Sequence, residues 1–339
     1  MDNDSELGLD AQPYRLELPT GLQVGSVNAY LFTDPEPVLV DTGIKLEQSW
    51  AALEEGLARF GLTVGNLTRV IISHAHVDHY GQAGTIADRS GAEIWISDLG
   101  APWLLEVSRI EELRTSFYRD YFLPNIGLSA EMIALVMAGF EAMNEQADPI
   151  PVSRVRTFGI DEKLEMGGRA WRVLHTPGHA SMQTCFYDPQ DQLLLSADML
   201  LATTPAPVVE GPLDGSRDRV PALPLFLQSL DRLEALEISH VLPGHGVPIG
   251  DHRALIARQR ARIRRRKEEC LAWISAGHRV PLDLLDKMYA HQPPGLRLTA
   301  MWMLIGYLDL LSAEGAVRQE TIDGVWHYFP NPIPIGQAS

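Results

Sequence analysis

At 339 residues, 45% apolar and 21% charged, the chain has the make-up of a globular protein of about two domains. A net charge of −16 repels polyanions and excludes nucleic-acid binding over the whole surface. Two cysteines, Cys185 and Cys270, exclude a disulfide scaffold, a four-cysteine zinc ribbon and a Cys-x-x-Cys redox pair.

Residues 1–10 are acidic, with no basic stretch leading into an apolar one, so no signal peptide is expected. No apolar run approaches the ~18 residues that span a bilayer. The expected location is therefore cytoplasmic, without membrane contact. Alternating and apolar runs over 14–41 predict a strand, a turn and two further strands. A helix is predicted over 46–60, with Gly61 at its C-cap. Residues 69–73 form a strand that runs into a histidine cluster, followed by a helix over 82–90 and a strand over 93–96. This succession argues for an α/β fold.

Residues 101–148 break the rhythm and are expected to be a helical insertion. Trp103, Val107, Ile110, Phe117 and Tyr121 recur at helical spacing, interrupted by Arg114. A second helix over 129–145 should place Met132, Leu135, Val136, Phe140 and Met143 on one side. These stripes suit packing on the core, a lid over a pocket, or the surface of a homodimer. Strands return over 155–198, at 170–174, 184–187 and 193–195. The stretch 203–224 holds five prolines and two glycines and is expected to be a long loop. A helix over 225–237 and a strand over 239–242 complete a unit ending near residue 250. A second unit, 251–335, reads as helices over 253–276, 281–291 and 298–313, then strands over 316–322 and 325–329. Asp323-Gly324 is a strong two-residue hairpin signal. Three helices and a hairpin outline a winged helix.

The strongest chemical signal is His74-Ala75-His76-Val77-Asp78-His79, three imidazoles and a carboxylate in six residues after a strand. His74 and His76 point the same way on an extended segment. Asp78 and His79 follow where the chain turns into a helix. Neutral imidazoles and carboxylates suit Zn²⁺ and other first-row metals. His179, Asp198 and His245 each follow an apolar run later in the chain. Singly they read as turn histidines or a capping aspartate, but their joint order changes that.

The ordered set His74-x-His76-x-Asp78-His79, His179, Asp198, His245 resembles the metallo-β-lactamase fold hydrolases, over residues 13–250. Val38-Leu39-Val40-Asp41-Thr42-Gly43 is similar to that family's second strand and turn. The appended C-terminal unit resembles the β-lactamase-like protein 2 group. The resemblance implies a four-layer αβ/βα sandwich with two divalent metals at one sheet edge. Zinc leads, with iron and manganese compatible. It implies His74, His76 and His179 on one metal, Asp78, His79 and His245 on the other, and Asp198 between both. Asp41 matches a position that orients a ligand histidine. A metal-bridging hydroxide would then attack a carbonyl carbon or a phosphorus, with Asp78 accepting or passing a proton. The chain has no Gly-x-Ser-x-Gly elbow to supply a serine nucleophile.

Tyr80, His175, His240, Arg172 and Arg217 lie near these motifs, and packing or structural roles are expected for them. His252, His278, His291 and His327 belong to the C-terminal unit and are expected to be non-catalytic. Residues 253–267 hold seven arginines, one lysine and no acid, leaving −24 on the rest of the chain. The segment suits phosphate contact or neutralisation of the acidic unit, with Ile256, Ile263, Cys270 and Ile274 as a buried stripe. Residues 298–316 carry no lysine or arginine, which argues against sequence-specific DNA reading. The leading expectation is a metal-dependent hydrolase of a small ester, thioester or lactone. The alternatives are an endoribonuclease acting on single-stranded RNA, an iron dioxygenase and a non-catalytic binding module.

Overall fold

The computed structural model describes residues 13–203 and 207–332. Residues 1–10, 204–206 of the proline-rich loop and 333–335 of the C-terminal unit lie outside them. Two sheets face each other. The first runs in the order β1 (Tyr14–Leu18), β2 (Val27–Phe32), β3 (Val38–Val40), β4 (Arg69–Ile72), β5 (Glu93–Ser97) and β6 (Val155–Phe158). The second comprises β7 (Lys163–Met166), β8 (Arg169–His175), β9 (Thr184–Asp188), β10 (Leu193–Ala197) and β11 (His240–Pro243), in the spatial order β11-β10-β9-β8-β7.

Strands β2, β3, β4, β9, β10 and β11 are buried almost throughout because both their faces are covered, whereas β6 and β7 at the sheet edges keep exposed positions. Tyr30 and Phe32 of β2, with Val38, Val40 and Ile71, point between the sheets to meet Trp171, Val173, Phe186, Leu195 and Leu242. Ala29 and Leu31, with Val70 and Ile72, point the other way. There they meet Leu53 and Leu57 of α1 (Glu47–Ala58) and Ile86 of α3 (Ala83–Ser90), which follows the single turn α2 (Val77–Tyr80). The layers are therefore helices, sheet, sheet and helices.

The insertion comprises α4 (Ala101–Leu105), α5 (Val107–Phe117), a π turn at Tyr118–Phe122, α6 (Leu123–Asn125) and α7 (Ala130–Asn144). Two expected stripes are corrected. A break at Glu106 separates α4 from α5, so Trp103 packs with the first sheet's helices while Val107 is exposed. In α7 the inward face is Ile133, Val136, Met137 and Phe140, whereas Met132 and Leu135 face outward. This helix is apolar on nearly every side, so periodicity does not choose its buried face.

On the outer side of the second sheet, α8 (Ala222–Glu234) lays Phe226, Leu230 and Leu233 over the apolar face that carries Leu194 and Val241. It starts three residues earlier than expected because Pro224 sits in its first turn, where a missing N–H costs nothing. The chain continues through α9 (His252–Ser275), α10 (Pro281–Met288), α11 (Arg297–Ala313), β12 (Val317–Ile322) and β13 (Val325–Pro330). Asp323 and Gly324, at φ 50 and 78°, make the tight turn between the last two strands. Most of α11 is buried, including Met301, Leu304, Ile305 and Leu308. One apolar cluster runs from Phe117, Tyr118 and Phe122 through α8 to α11 and Trp326. Arg253 pairs with Glu237, and Arg260 with Asp231 and Glu234, so part of the basic segment does neutralise α8 and the turn after it.

Candidate metal centre

The two sheets are stitched together along one edge. The Asn28 N–H donates to the Gly244 carbonyl at 2.7 Å and the Tyr30 hydroxyl to that of Pro243 at 2.8 Å. The Thr184 N–H and hydroxyl both donate to the Ser73 carbonyl at 3.0 Å. These bonds draw the ends of β4, β10 and β11 and the turn between β8 and β9 to a common point. All seven residues expected to bind metal arrive there. His74 and His76 leave β4 on extended backbone, and His76 is the N-cap of α2. The α2 turn then presents Asp78 and His79. His179 stands in the β8–β9 turn, Asp198 follows β10, and His245 follows β11.

His74 Nε2 and His179 Nε2 lie 3.1 and 2.9 Å from His76 Nδ1. Two nitrogens on one tetrahedral Zn²⁺ would stand about 3.3 Å apart, given Zn–N near 2.05 Å. A second group gathers Asp78, His79 and His245, with Asp78 Oδ2 3.4 Å from His245 Nε2. Asp198 lies between the two. Its Oδ2 is 3.4 Å from His179 Nε2 and from His245 Nε2, and its Oδ1 is 3.4 Å from His79 Nε2.

The far side of three of these rings is held. The Nδ1–H of His79 donates to Asp41 Oδ2 at 2.7 Å, that of His245 to the Ser26 carbonyl at 2.8 Å, and that of His74 to Ser73 Oγ at 3.0 Å. This fixes the tautomer and aims each Nε2 lone pair inward. Asp41 itself sits at φ 60° and accepts both the Ser73 N–H and the Ser73 hydroxyl, at 2.9 and 2.8 Å. His79 Nε2, His245 Nε2 and Asp198 Oδ1 are buried yet have no hydrogen-bond partner. Buried polar atoms left unpaired cost free energy, and a cation at the centre satisfies all three. The donor set therefore fits a pair of divalent metals.

The electrostatics agree. Burial and the neighbouring imidazoles push His74 well below its usual pKa, and burial with His179 takes His76 down to about 3. Both offer lone pairs at neutral pH. Burial works against ionised Asp78 and Asp198, but facing histidines outweigh it. Asp78 is brought to about 2, and Asp198 well below the usual carboxylate range. Burial likewise opposes charge on His79 and His245, yet the carboxylates prevail, lifting His79 well above its usual value and His245 to about 10. Without metal these two rings hold protons where a cation would stand.

The sequence reading missed several contributors. Ser73 and the Ser26 carbonyl orient ligand rings. Gly244 gives way to Asp198, whose Oδ1 would lie 2.2 Å from a Cβ at that position. Gly178, at φ 151°, lets the His179 turn press on the Phe226 backbone. The proline-rich loop straps the same turn: the Val208 N–H donates to the His179 carbonyl at 3.0 Å, and Glu210 accepts from the Ser181 N–H at 3.2 Å. The Tyr118 hydroxyl holds this loop through the Val209 carbonyl. Arg114 acts electrostatically on Tyr80, Tyr118 and Glu210, so the break in the α5 stripe marked a charge placed near this loop. His175 donates instead to the Ser181 carbonyl, and Arg217 stacks on Tyr121, so neither joins the ligands.

Comparison with known proteins agrees with this geometry. The model of the metallo-beta-lactamase superfamily matches residues 22–245. The chain is 26% identical over 304 residues to "Probable metallo-hydrolase YqjP" of Bacillus subtilis (strain 168), covering 89% of this chain and 92% of that protein. It is 33% identical over 124 residues to the hydroxyacylglutathione hydrolase of Rhizobium meliloti (strain 1021), covering 37% and 43%. A metallo-beta-lactamase family protein from Thermus thermophilus superposes with a TM-score of 0.78 at 27% identity, covering 94% of this chain and 98% of the other. A beta-lactamase domain protein from Burkholderia ambifaria has the same fold, with a TM-score of 0.77 at 23% identity, covering 94% and 92%.

Proposed function

Since the chain belongs to the metallo-beta-lactamase superfamily, we propose that it is a binuclear metal-dependent hydrolase of small esters, thioesters or lactones. His74, His76 and His179 would hold one divalent ion, and Asp78, His79 and His245 the other, with Asp198 shared. Bound there, the ions supply Lewis acidity that sharpens a water molecule and polarises the scissile carbonyl. Zinc suits the donors best, and the same donors accept iron or manganese. Asp78 stays ionised at neutral pH, so it accepts a hydrogen bond from the attacking water and directs its lone pair at the carbonyl. Asp41 keeps His79 in the tautomer that faces the centre. The strap from Val208 to Glu210 fixes the turn that carries His179.

The observation carrying this reading is the set of buried, unpartnered atoms on His79, His245 and Asp198. The hydroxyacylglutathione hydrolase relative favours thioesters within the substrate class. The C-terminal helices and hairpin are read as a winged-helix-like unit that completes an apolar layer, since α11 is buried and offers no DNA-reading face. The test is a panel of ester, thioester and lactone substrates assayed before and after chelation. Hydrolysis should fall by at least about 10²-fold on metal removal and return with Zn²⁺, Mn²⁺ or Fe²⁺. Hydrolysis that survives complete removal of metal refutes the reading. The second reading, cleavage of single-stranded RNA, is favoured only by the cations of α9 that α8 does not neutralise. Absence of RNA cleavage by metal-loaded protein at low salt eliminates it.

A further inference from the structure

A cleft of about 520 Å³ lies among the C-terminal helices, lined by Arg262, Arg265, Arg266, Lys287, Tyr289 and His291. An annex of about 110 Å³ adjoins it, sharing Arg262 and Tyr289 and bounded by Leu296, Thr299, Met303 and Tyr307. None of the residues around the metal centre takes part. Arg262, Arg265 and Arg266 stand three and four residues apart, so they fall within one sector of α9 on neighbouring turns. Lys287, Tyr289 and His291 come from the end of α10 and the segment after it.

Several cations of this region are matched with acids, while Arg258 and Arg264 of α9, outside the cleft, have no carboxylate within 4.0 Å among the described residues. Arg253 pairs with Glu237, Arg260 with Asp231, Lys267 with Glu314, and Arg297 with Asp286. Arg266 pairs with Glu269 at 2.5 Å, donates to the Met288 carbonyl at 2.8 Å and stacks 4.4 Å from the Tyr289 ring, which makes it a rigid floor. Arg262, Arg265 and Lys287 differ. Among the described residues, no carboxylate lies within 4.0 Å of any of them. In a chain of net charge −16, uncompensated cations converging on one concave surface form a site for an external anion. Guanidinium groups match phosphoryl oxygens in geometry as well as charge.

We propose that this cleft binds a small molecule carrying a diphosphate group, its oxygens on Arg262, Arg265 and Lys287 and any attached organic group directed to the annex. The inference is independent of the hydrolytic reading, because it uses none of the same side chains. The ligand chemistry is a diphosphate, and its source is either inorganic pyrophosphate or an organic diphosphate such as a nucleotide.

Calorimetric titration of the full-length, metal-loaded protein tests it, with pyrophosphate, ADP, adenosine and a single-stranded RNA oligonucleotide as probes. The expected result is saturable 1:1 binding of ADP or pyrophosphate below about 1 mM at about 50 mM salt, and no binding of adenosine. ADP binding more tightly than pyrophosphate identifies an organic ligand that uses the annex, and equal affinity identifies the inorganic ion. The double variant Arg265→Gln, Lys287→Gln alters two exposed side chains, so its melting temperature should match wild type while diphosphate binding weakens at least about tenfold. Three results overturn the proposal: no saturable diphosphate binding, wild-type affinity in the double variant, or binding of RNA alone.

Discussion

Gly244 precedes His245 and has no side chain, and its replacement tests the centre's geometry. In Gly244→Ala the new Cβ would lie 2.2 Å from Asp198 Oδ1 and 3.0 Å from His79 Cε1. An ordinary carbon–oxygen contact is about 3.3 Å, so Asp198 or the backbone must move by roughly 1 Å. The backbone has little room to retreat. The Gly244 N–H donates to the Ala197 carbonyl at 2.7 Å, and its own carbonyl accepts from Asn28 at 2.7 Å. The displacement therefore falls on the Asp198 carboxylate, which lies between the two histidine groups. A misplacement of about 1 Å at a reacting centre costs on the order of 10² in rate, and overpacking adds about 1–3 kcal/mol of destabilisation. The assay measures kcat on the best substrate of the panel, bound metal per chain and the melting temperature. Gly250→Ala is the control, since nothing lies within 4 Å of a Cβ there. Wild-type kcat and metal content in Gly244→Ala would refute the placement of Asp198.

Three further outcomes are expected. Asp41→Asn, which replaces the acceptor of the His79 Nδ1–H by an amide, should weaken metal affinity by about 10–100-fold in competition with a chromogenic chelator, and unchanged affinity would remove Asp41 from its orienting role. Burial pushes both Cys185 and Cys270 from 9.0 up to about 12, so neither should react with a disulfide reagent at pH 8 until the protein unfolds. The folded state keeps these thiol protons longer than the unfolded one, so stability should be unaffected by them below pH 9 and fall between 9 and about 12. A urea midpoint that rises over that range contradicts this. Gly306→Ala brings a Cβ to 2.6 Å from Leu223 Cβ, where α11 crosses α8, and should cost about 1–3 kcal/mol in urea unfolding; a neutral substitution would mean the two helices are less tightly apposed.

The sandwich was legible because its central strands are covered on both faces and so read as unbroken apolar runs. Lys163–Met166 did not stand out, since only Leu164 and Met166 face inward and its charged residues face solvent at the sheet edge. His74 to His79 announced itself through density. His179, Asp198 and His245 are ordinary taken singly, and became candidate ligands through their order and the family they resemble. The supports of the site left weaker traces. The carbonyl of Ser26 acts through the backbone, which side-chain identity does not encode. Gly244 matters for the atoms it lacks. Arg114 left a signal as a charge on an otherwise apolar stripe, but Glu210, on which it acts, lies almost a hundred residues away in sequence.

The strap over His179 is itself anchored at a distance. Val208 holds the His179 carbonyl, the neighbouring Val209 accepts from Tyr118, the Tyr118 ring meets Phe122 at 5.6 Å, and Phe122 meets Trp326 at 5.9 Å. The last hairpin of the chain thus acts as a buttress for the loop that holds the His179 turn. Sequence drift near the C-terminus can accordingly shift the turn that carries His179, with His74, His76, Asp78, His79, Asp198 and His245 all left untouched.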